Sequence, residues 1–319
     1  MSASPLRVGV AGVGHLGQHH ARIYAELPGC RLVGVADVNL DRAREVAARH
    51  GTEAVPDPSL LAGRVDAVSV AVPTAAHLEV ARMFVSTGAA VLVEKPIAAS
   101  LQEADELVEA ARRAGVLLAV GHTERFNPAV EALRSRAASP RFIESHRLGS
   151  FAPRSLDIDV VLDLMIHDID IALDLDGGEV ASVVAVGVNA LTPRVDIANA
   201  RVEFASGCVA NLTASRVSAS RTRKIRIFQP ESYLSCDCAE RSLEHYRLDR
   251  SGGEGLPRIV REKVAVPAVE PLRRELECFV QAARGAGRFP VPGRSGRAAL
   301  EVALRVIASI EAHGSSGRR

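Results

Sequence analysis

The chain of 319 residues is 47% apolar, 24% charged and only 3% aromatic, a balance that excludes a disordered polymer and leaves room for two domains. Thirty-nine basic residues against thirty-eight acidic ones give a net charge of +1, which removes the global electrostatic case for a nucleic-acid binder or a polybasic membrane protein. No apolar run approaches the roughly 18 to 20 residues that span a bilayer, and no export signal precedes the strand-like start, so the cytoplasm is the default expectation.

Up to about residue 120, short β-branched runs alternate with longer helical patterns, the signature of βαβ units and a parallel sheet. Strands are predicted at 6–11, 31–36, 66–72, 90–93 and 116–120. Helices are predicted at 15–27, 40–50, 75–87 and 100–114, punctuated by Pro28, Gly29 and Gly88. After Gly121 the texture changes. One long helical pattern at 156–176 precedes strand patterns at 181–190, 197–204, 208–215 and 223–229, which argues for a second, α+β domain with an antiparallel sheet. The glycine-rich interval 250–266 reads as a loop excursion or a further hairpin. Helices at 270–285 and 295–312 close the chain. The expected division is therefore a dinucleotide-binding domain over 1–121 and a substrate-binding and oligomerisation domain over 122–319, with the closing helices free to pack back on the first domain.

Gly12, Gly14 and Gly17 stand in a G-x-G-x-x-G pattern, with His15 and Leu16 between them, directly after a predicted strand and at the opening of a helix. The first glycine permits the tight turn, the second lets backbone approach a pyrophosphate, and the third allows close helix–strand packing; the helix N-terminus then faces the phosphates. Asp37, at the end of the second strand, is placed to accept hydrogen bonds from a ribose 2′-hydroxyl. The competing role for Asp37 is a turn or helix cap. A carboxylate there repels a 2′-phosphate, so NAD is favoured over NADP, although Arg42 and Arg44 lie on the following helix. Val72, Pro73 and Thr74 end one strand and lead to His77, and Glu94 and Lys95 end the next, at the edge of the sheet where ligands bind. Lysine occurs only at positions 95, 224 and 263. In a chain that otherwise chooses arginine, Lys95 after an apolar strand marks a task for a compact ammonium whose pKa burial can tune.

The segment 159–175 carries Asp159, Asp163, His167, Asp170 and Asp174 at offsets that fall within an arc of roughly 80° on an ideal helix, with apolar residues around the rest. Such a helix lines a cleft with its acidic stripe. Asp163 and His167, one turn apart, form a carboxylate–imidazole pair suited to general-base removal of a hydroxyl proton, with Lys95 sharing the developing alkoxide. Five scattered cysteines do not form a disulfide framework, and Cys236 with Cys238 has no second pair at zinc-site spacing; alternate strand positions are expected and no metal site.

The glycine-rich start, Glu94-Lys95-Pro96, Gly121-His122 followed by Arg125-Phe126-Asn127-Pro128, and Asp163 with His167 together resemble the Gfo/Idh/MocA oxidoreductase family. The resemblance implies an N-terminal Rossmann domain and a C-terminal α+β domain with a large, mostly antiparallel sheet, whose open face commonly serves oligomerisation as a homodimer or homotetramer. It implies Lys95, Asp163 and His167 as the catalytic set. Many members carry glycines before the acid and two residues before the histidine; this chain has Val160-Val161-Leu162 and Met165.

The segments 142–147, 197–201 and 211–216 are most similar to the branch acting on UDP-N-acetylglucosamine. Members of that branch oxidise the sugar 3-hydroxyl, and a separate aminotransferase converts the keto product to an amino sugar for lipid A. A diphosphate needs guanidinium partners. Arg125, Asn127, Arg147, Arg154 and Arg216 are the candidate substrate ligands, with Arg221, Arg223, Lys224 and Arg226 in the same basic stretch. Two alternatives remain at this point: a dehydrogenase of a free, inositol-like polyol, and a non-catalytic NAD-binding sensor.

Overall fold

The computed structural model describes residues 4–151, 158–251 and 256–316, with side chains as far as 313. The chain divides into two compact units, one of residues 1–123 with 270–297 and the other of 124–269 with 298–319. The sequence places a division after Gly121 and leaves the closing helices free to pack back on the first domain; the structure assigns residues 270–297 to the first unit. The backbone explains this. The Val120 N–H donates to the Val291 carbonyl at 3.0 Å, and Ala119 bridges Pro292. Gly296 then sits so close to Val120 that a Cβ on it would lie 2.5 Å from that side chain.

In the first unit, β1 (Leu6–Ala11), β2 (Cys30–Ala36), β3 (Glu53–Val55), β4 (Ala67–Val70), β5 (Ala90–Glu94) and β6 (Leu118–Gly121) form one parallel sheet in the order β3-β2-β1-β4-β5-β6. The strand order reverses between β1 and β4, and the crevice beyond their carboxyl ends is where such sheets bind ligands. The helices α1 (Gly17–Glu26), α2 (Leu40–His50), α3 (His77–Ser86) and α4 (Leu101–Ala114) connect the strands. Their limits are written locally. In α4, Ser100 Oγ accepts from the Glu103 N–H at 3.2 Å, Glu103 reaches back to the Ala99 N–H at 3.0 Å, and Gly115 closes the helix in the left-handed region at φ 66°. Ala104, Leu107 and Ala111, at helical spacing, are buried. Complete burial of a side chain such as Leu107 is worth about 1.5–3 kcal/mol.

The second unit opens with α5 (Pro128–Arg134), β7 (Phe142–Leu148) and then, in place of one continuous helix over 156–176, a π-helical turn at Val161–Met165 followed by α6 (Ile166–Asp176). The Ile166 N–H donates to the Val161 carbonyl five residues back. This widened turn alters the angular phase of Asp159 and Asp163 relative to everything after it. The remaining strands are β8 (Val180–Val188), β9 (Ile197–Phe204), β10 (Val209–Ser215), β11 (Thr222–Gln229), β12 (Ser232–Asp237), β13 (Ser242–Asp249) and β14 (Arg258–Val264).

The eight strands order as β14-β13-β12-β11-β7-β10-β9-β8, antiparallel throughout except for the parallel pair β7 and β10. Alternation decides the faces. Ala198, Ala200, Val202 and Phe204 of β9, Leu212 of β10 and Ile225 and Ile227 of β11 point into a core shared with Met165, Ile166 and Ile169. Two helices complete the chain. The first, α7 (Pro271–Ala283), belongs to the first unit, and α8 (Gly293–Ser316) places Val302, Ala303, Val306 and Ile310 in the core of the second. Among the described residues, no helix is long and apolar enough to cross a membrane.

Candidate active site

The glycine loop has the shape its spacing demands. Gly12 adopts φ +86°, and a Cβ there would meet the Ala71 carbonyl at 2.6 Å; a Cβ on Gly17 would overlap the Gly12 carbonyl at 1.8 Å. Gly14 differs, because a Cβ on it would find only Arg42 NH1, 3.9 Å away. Two glycines are thus required by the protein itself, while the third leaves an open approach to backbone beside α1. A cavity of about 240 Å³ adjoins it, lined by Gly14, His15, Gln18, Arg42 and Arg49. Leu16, the residue before α1, is 44% exposed. This cradle fits a dinucleotide phosphate group, with glycine where backbone must come close and helix N–H groups at its edge.

Asp37 takes the turn role considered for it. Its Oδ2 accepts from the Val13 N–H of the glycine loop and its Oδ1 from the Asn39 N–H, each at 2.9 Å, so it braces the loop and retains lone pairs for a ribose. Capping of α2 falls to Asn39, whose side chain accepts from the Arg42 N–H.

The two strand ends beyond β4 and β5 are tied together by His77. Its ring spans from the Val72 carbonyl (Nε2, 3.0 Å) to the Pro96 carbonyl (Nδ1, 2.9 Å), and burial pushes the imidazole below its usual pKa. Expected among the cofactor ligands, His77 has its two ring nitrogens facing these two carbonyls, while Pro73 and Thr74 open the short 3-10 helix Thr74–Ala76 that leads into α3. Glu94 turns inward. Its carboxylate lies 3.0 Å from His20 Nε2, and Gly121 leaves the room it needs, since a Cβ there would lie 2.9 Å from Glu94 Oε1. Burial pushes Glu94 up, but the contact with His20 and the neighbouring Lys95 and His77 together outweigh it and hold the carboxyl below its usual value. Lys95 follows, half-buried at the end of the strand.

In the second unit the predicted acidic stripe divides. Asp163 lines a cavity of about 250 Å³ together with Arg147, Ser150, Arg216, Arg221 and Arg223, and His167 follows one turn later, half-buried. Asp159 does not face that cavity; its Oδ1 accepts from the Val195 N–H at 3.0 Å and holds the entry to the π turn. Asp170 and Asp174 are neutralised by Arg125, at 3.3 and 2.6 Å, and Asp174 also by Arg134 at 2.7 Å. An ideal helix placed five polar groups in one arc; the π turn and two arginines separate them.

The same cationic groups correct the candidate ligands. Arg125 is buried in its ion pairs with α6. Asn127 caps α5 through Ala129 N–H and donates to the Cys238 carbonyl at 2.9 Å, so its amide is consumed by the fold. Arg216 donates to the Ile158 and Val195 carbonyls beside Asp196. Arg147 makes two parallel bonds to Asp168 and a third to Glu124. Arg154 lies outside the described residues. Arg147 and Arg216 therefore form the cavity's wall, and Arg221 and Arg223 share the space with them.

Asp168 and Glu124, which hold Arg147 and Arg223, carry no local signal in the sequence, because each meets its partner on another element. Cys236 and Cys238 are buried with their sulfurs 3.8 Å apart, and no group of metal-ligating side chains occurs among the described residues.

Comparison with known proteins adds kinship to this geometry. Residues 6–122 match the model of an oxidoreductase family with an NAD-binding Rossmann fold, and residues 129–232 match the GFO/IDH/MocA C-terminal domain. The chain is 41% identical over 308 residues to a UDP-N-acetylglucosamine 3-dehydrogenase of Acidithiobacillus ferrooxidans, covering 96% of this chain and 98% of that protein. A solved structure of the A. ferrooxidans enzyme superposes with a TM-score of 0.91 at 40% identity, over 97% of this chain and 99% of that one. A scyllo-inositol 2-dehydrogenase (NAD(+)) of Bacillus subtilis is 32% identical over 237 residues, 67% of this chain and 68% of its own.

Proposed function

Since the chain belongs to the Gfo/Idh/MocA oxidoreductase family, we propose that it is an NAD-dependent dehydrogenase of a nucleotide sugar, oxidising the 3-hydroxyl of UDP-N-acetylglucosamine to the 3-keto sugar. The observation that carries this reading is the arginine-lined cavity beside Asp163, one turn before His167. Of the four guanidinium groups that line it, Arg221 meets no carboxylate among the described residues and Arg223 shares Glu124 with Arg147, so a diphosphate finds charge partners here that a free polyol does not need.

When bound, NAD supplies the acceptor for the hydride leaving the sugar carbon. His167 takes the proton of the reacting hydroxyl, Asp163 favours the imidazolium that results, and Lys95 shares the negative charge that develops on the oxygen. Gly12, Gly14 and Gly17 with α1 hold the pyrophosphate, and Asp37 reads the ribose and repels a 2′-phosphate, which sets NAD above NADP. The keto sugar then passes to a separate aminotransferase that makes an amino sugar for lipid A, in the cytoplasm.

The assembly is a homodimer or homotetramer formed on the open face of the large sheet. That face carries the ring series Phe142, Phe228, Tyr233 and Tyr246, with successive centroids 5.6, 4.8 and 5.2 Å apart, and Val184, Val186 and Val188 are each more than half exposed on β8.

The test is NAD reduction, followed by absorbance, with UDP-N-acetylglucosamine in the presence of an aminotransferase and amino donor that remove the keto product. Parallel assays use NADP, N-acetylglucosamine and scyllo-inositol. Turnover is expected with the nucleotide sugar and NAD. Oxidation of scyllo-inositol, with none of the nucleotide sugar in the coupled assay, would overturn the substrate assignment.

A further inference from the structure

The four arginines of the cavity in the second unit are not equivalent, and their hydrogen bonds sort them. Arg147 is buried and spends Nε and one terminal nitrogen on Asp168, at 2.8 and 2.9 Å, and the other terminal nitrogen on Glu124 at 3.1 Å. Arg216 is buried as well and ties the Ile158 and Val195 carbonyls at the entry to the π turn. Both are framework.

Arg223 is different. Its only carboxylate contact among the described residues is Glu124 Oε1, at 3.1 Å, the same oxygen that Arg147 uses. One carboxylate thus serves two guanidinium groups. Arg221, two residues earlier and lining the same cavity, is exposed and meets no carboxylate among the described residues. Lys224 leaves on the opposite face, toward Asp237 at 3.6 Å. Burial lowers the Arg223 pKa, and the neighbouring charges of Arg147 and Arg221 lower it further. Arg221 and Arg223 therefore line the cavity of about 250 Å³ with fewer of their nitrogens bonded to carboxylates than Arg147 has. Arg221 precedes β11 and Arg223 lies within it, both on the cavity, and planar guanidinium forks match phosphate oxygens.

We propose that Arg221 and Arg223 are the specificity-determining residues for the nucleoside diphosphate part of the substrate, and that Arg147 and Arg216 build the wall behind them. This rests on the nucleotide-sugar reading above and assigns its recognition to two residues of β11 and its approach.

The experiment separates recognition from turnover. Wild type, Arg221→Met, Arg223→Met and the double variant are titrated calorimetrically with UDP and with uridine, and circular dichroism checks their folding. Arg226→Met, on the same strand and paired to Glu144 outside the cavity, is the control. Wild type and control are expected to bind UDP alike. Each single variant should lose roughly ten- to a hundred-fold in UDP affinity, the effect of one charge-assisted contact, with the weak binding of uridine unchanged. Arg221→Met carries the test should Arg223→Met fail to fold, because its side chain is exposed.

In steady-state assays KM for the nucleotide sugar rises while kcat stays within a few-fold. Unchanged UDP affinity in a folded Arg221→Met, or no binding of UDP by wild type, overturns the proposal. Binding of UDP that depends on Arg221 and Arg223, with no oxidation of the sugar nucleotide, upholds it and sinks the activity instead.

Discussion

Arg147 grips Asp168 through two parallel hydrogen bonds in the core of the second unit, Nε to Oδ2 at 2.8 Å and a terminal nitrogen to Oδ1 at 2.9 Å, and Asp168 is the immediate neighbour of His167. Both side chains are all but fully buried. The pair therefore fixes the rotation of α6 at the residue next to the proposed base. Replacing Asp168 leaves the buried Arg147 guanidinium with Glu124 as its one carboxylate, a Glu124 it shares with Arg223, so the cost is expected at or below the roughly 3–5 kcal/mol of a fully broken buried pair. Asp168→Asn is expected to lower the urea midpoint accordingly and to depress kcat as well. The double substitution Arg147→Met with Asp168→Leu should regain most of the stability without regaining kcat. Equilibrium unfolding and steady-state rates on the three proteins check both statements.

Glu124 predicts a pH dependence. Burial alone would raise its pKa, but Arg147 and Arg223 reverse that and hold it below its usual carboxylate value of 4.5. A carboxyl depressed in the folded state contributes stability above its unfolded pKa and loses that contribution as the pH falls through its folded one. Glu124→Gln is therefore expected to be less stable than wild type at pH 6–7, with the difference shrinking as pH falls below about 4.5. Thermal melts at a series of pH values would contradict this if the gap stayed constant.

The proposed division of labour predicts a contrast between His167→Asn and Lys95→Met. Each is expected to reduce kcat by about 10²–10⁴-fold, the range for a general base or a group stabilising developing charge. His167→Asn should bind NAD as wild type does, whereas Lys95→Met, at the strand end beside the cofactor crevice, should bind it more weakly. Fluorescence titration with NADH measures both. Equal losses of affinity in the two would refute the division.

Gly12 and Gly14 should behave unlike each other. Gly12→Ala forces a side chain into positive φ and a 2.6 Å approach to the Ala71 carbonyl, so the folded protein itself is destabilised. Gly14→Val meets little protein and is expected to melt near the wild-type temperature while losing NAD binding. A wild-type affinity for NAD in a folded Gly14→Val would remove the phosphate from this loop.

Much of the first unit was legible because its signals are local. Gly12, Gly14, Gly17 and Asp37 owe their placement to neighbours in sequence, and the 40–50 helix begins and ends where Asn39 and Gly51 cap it. The second unit was less legible, for three physical reasons. Strand β7 carries Ser145 and Arg147 on its buried face, so alternation does not read as apolar against polar; Arg147 is tolerated there only because Asp168 arrives from α6. The stripe from Asp159 to Asp174 holds together only at a constant angle per residue, which the π turn breaks. Glu124 and Asp168 depend on partners 21 to 99 residues away, and no local pattern announces such pairs.

The return of residues 270–297 to the first unit bears on the order in which a nascent chain can assemble. The six strands of the parallel sheet are complete once Gly121 has been made, yet the Val120 amide receives its partner, Val291, only after another 170 residues of synthesis. Domains emerge from the ribosome at about 5–20 residues per second. For roughly ten to thirty seconds, the β6 edge of the nucleotide-binding sheet therefore waits exposed while the entire eight-stranded sheet is translated. Val120 and Leu118, which later receive Gly296 and Gly293, are during that interval the surfaces where a chaperone would find this chain.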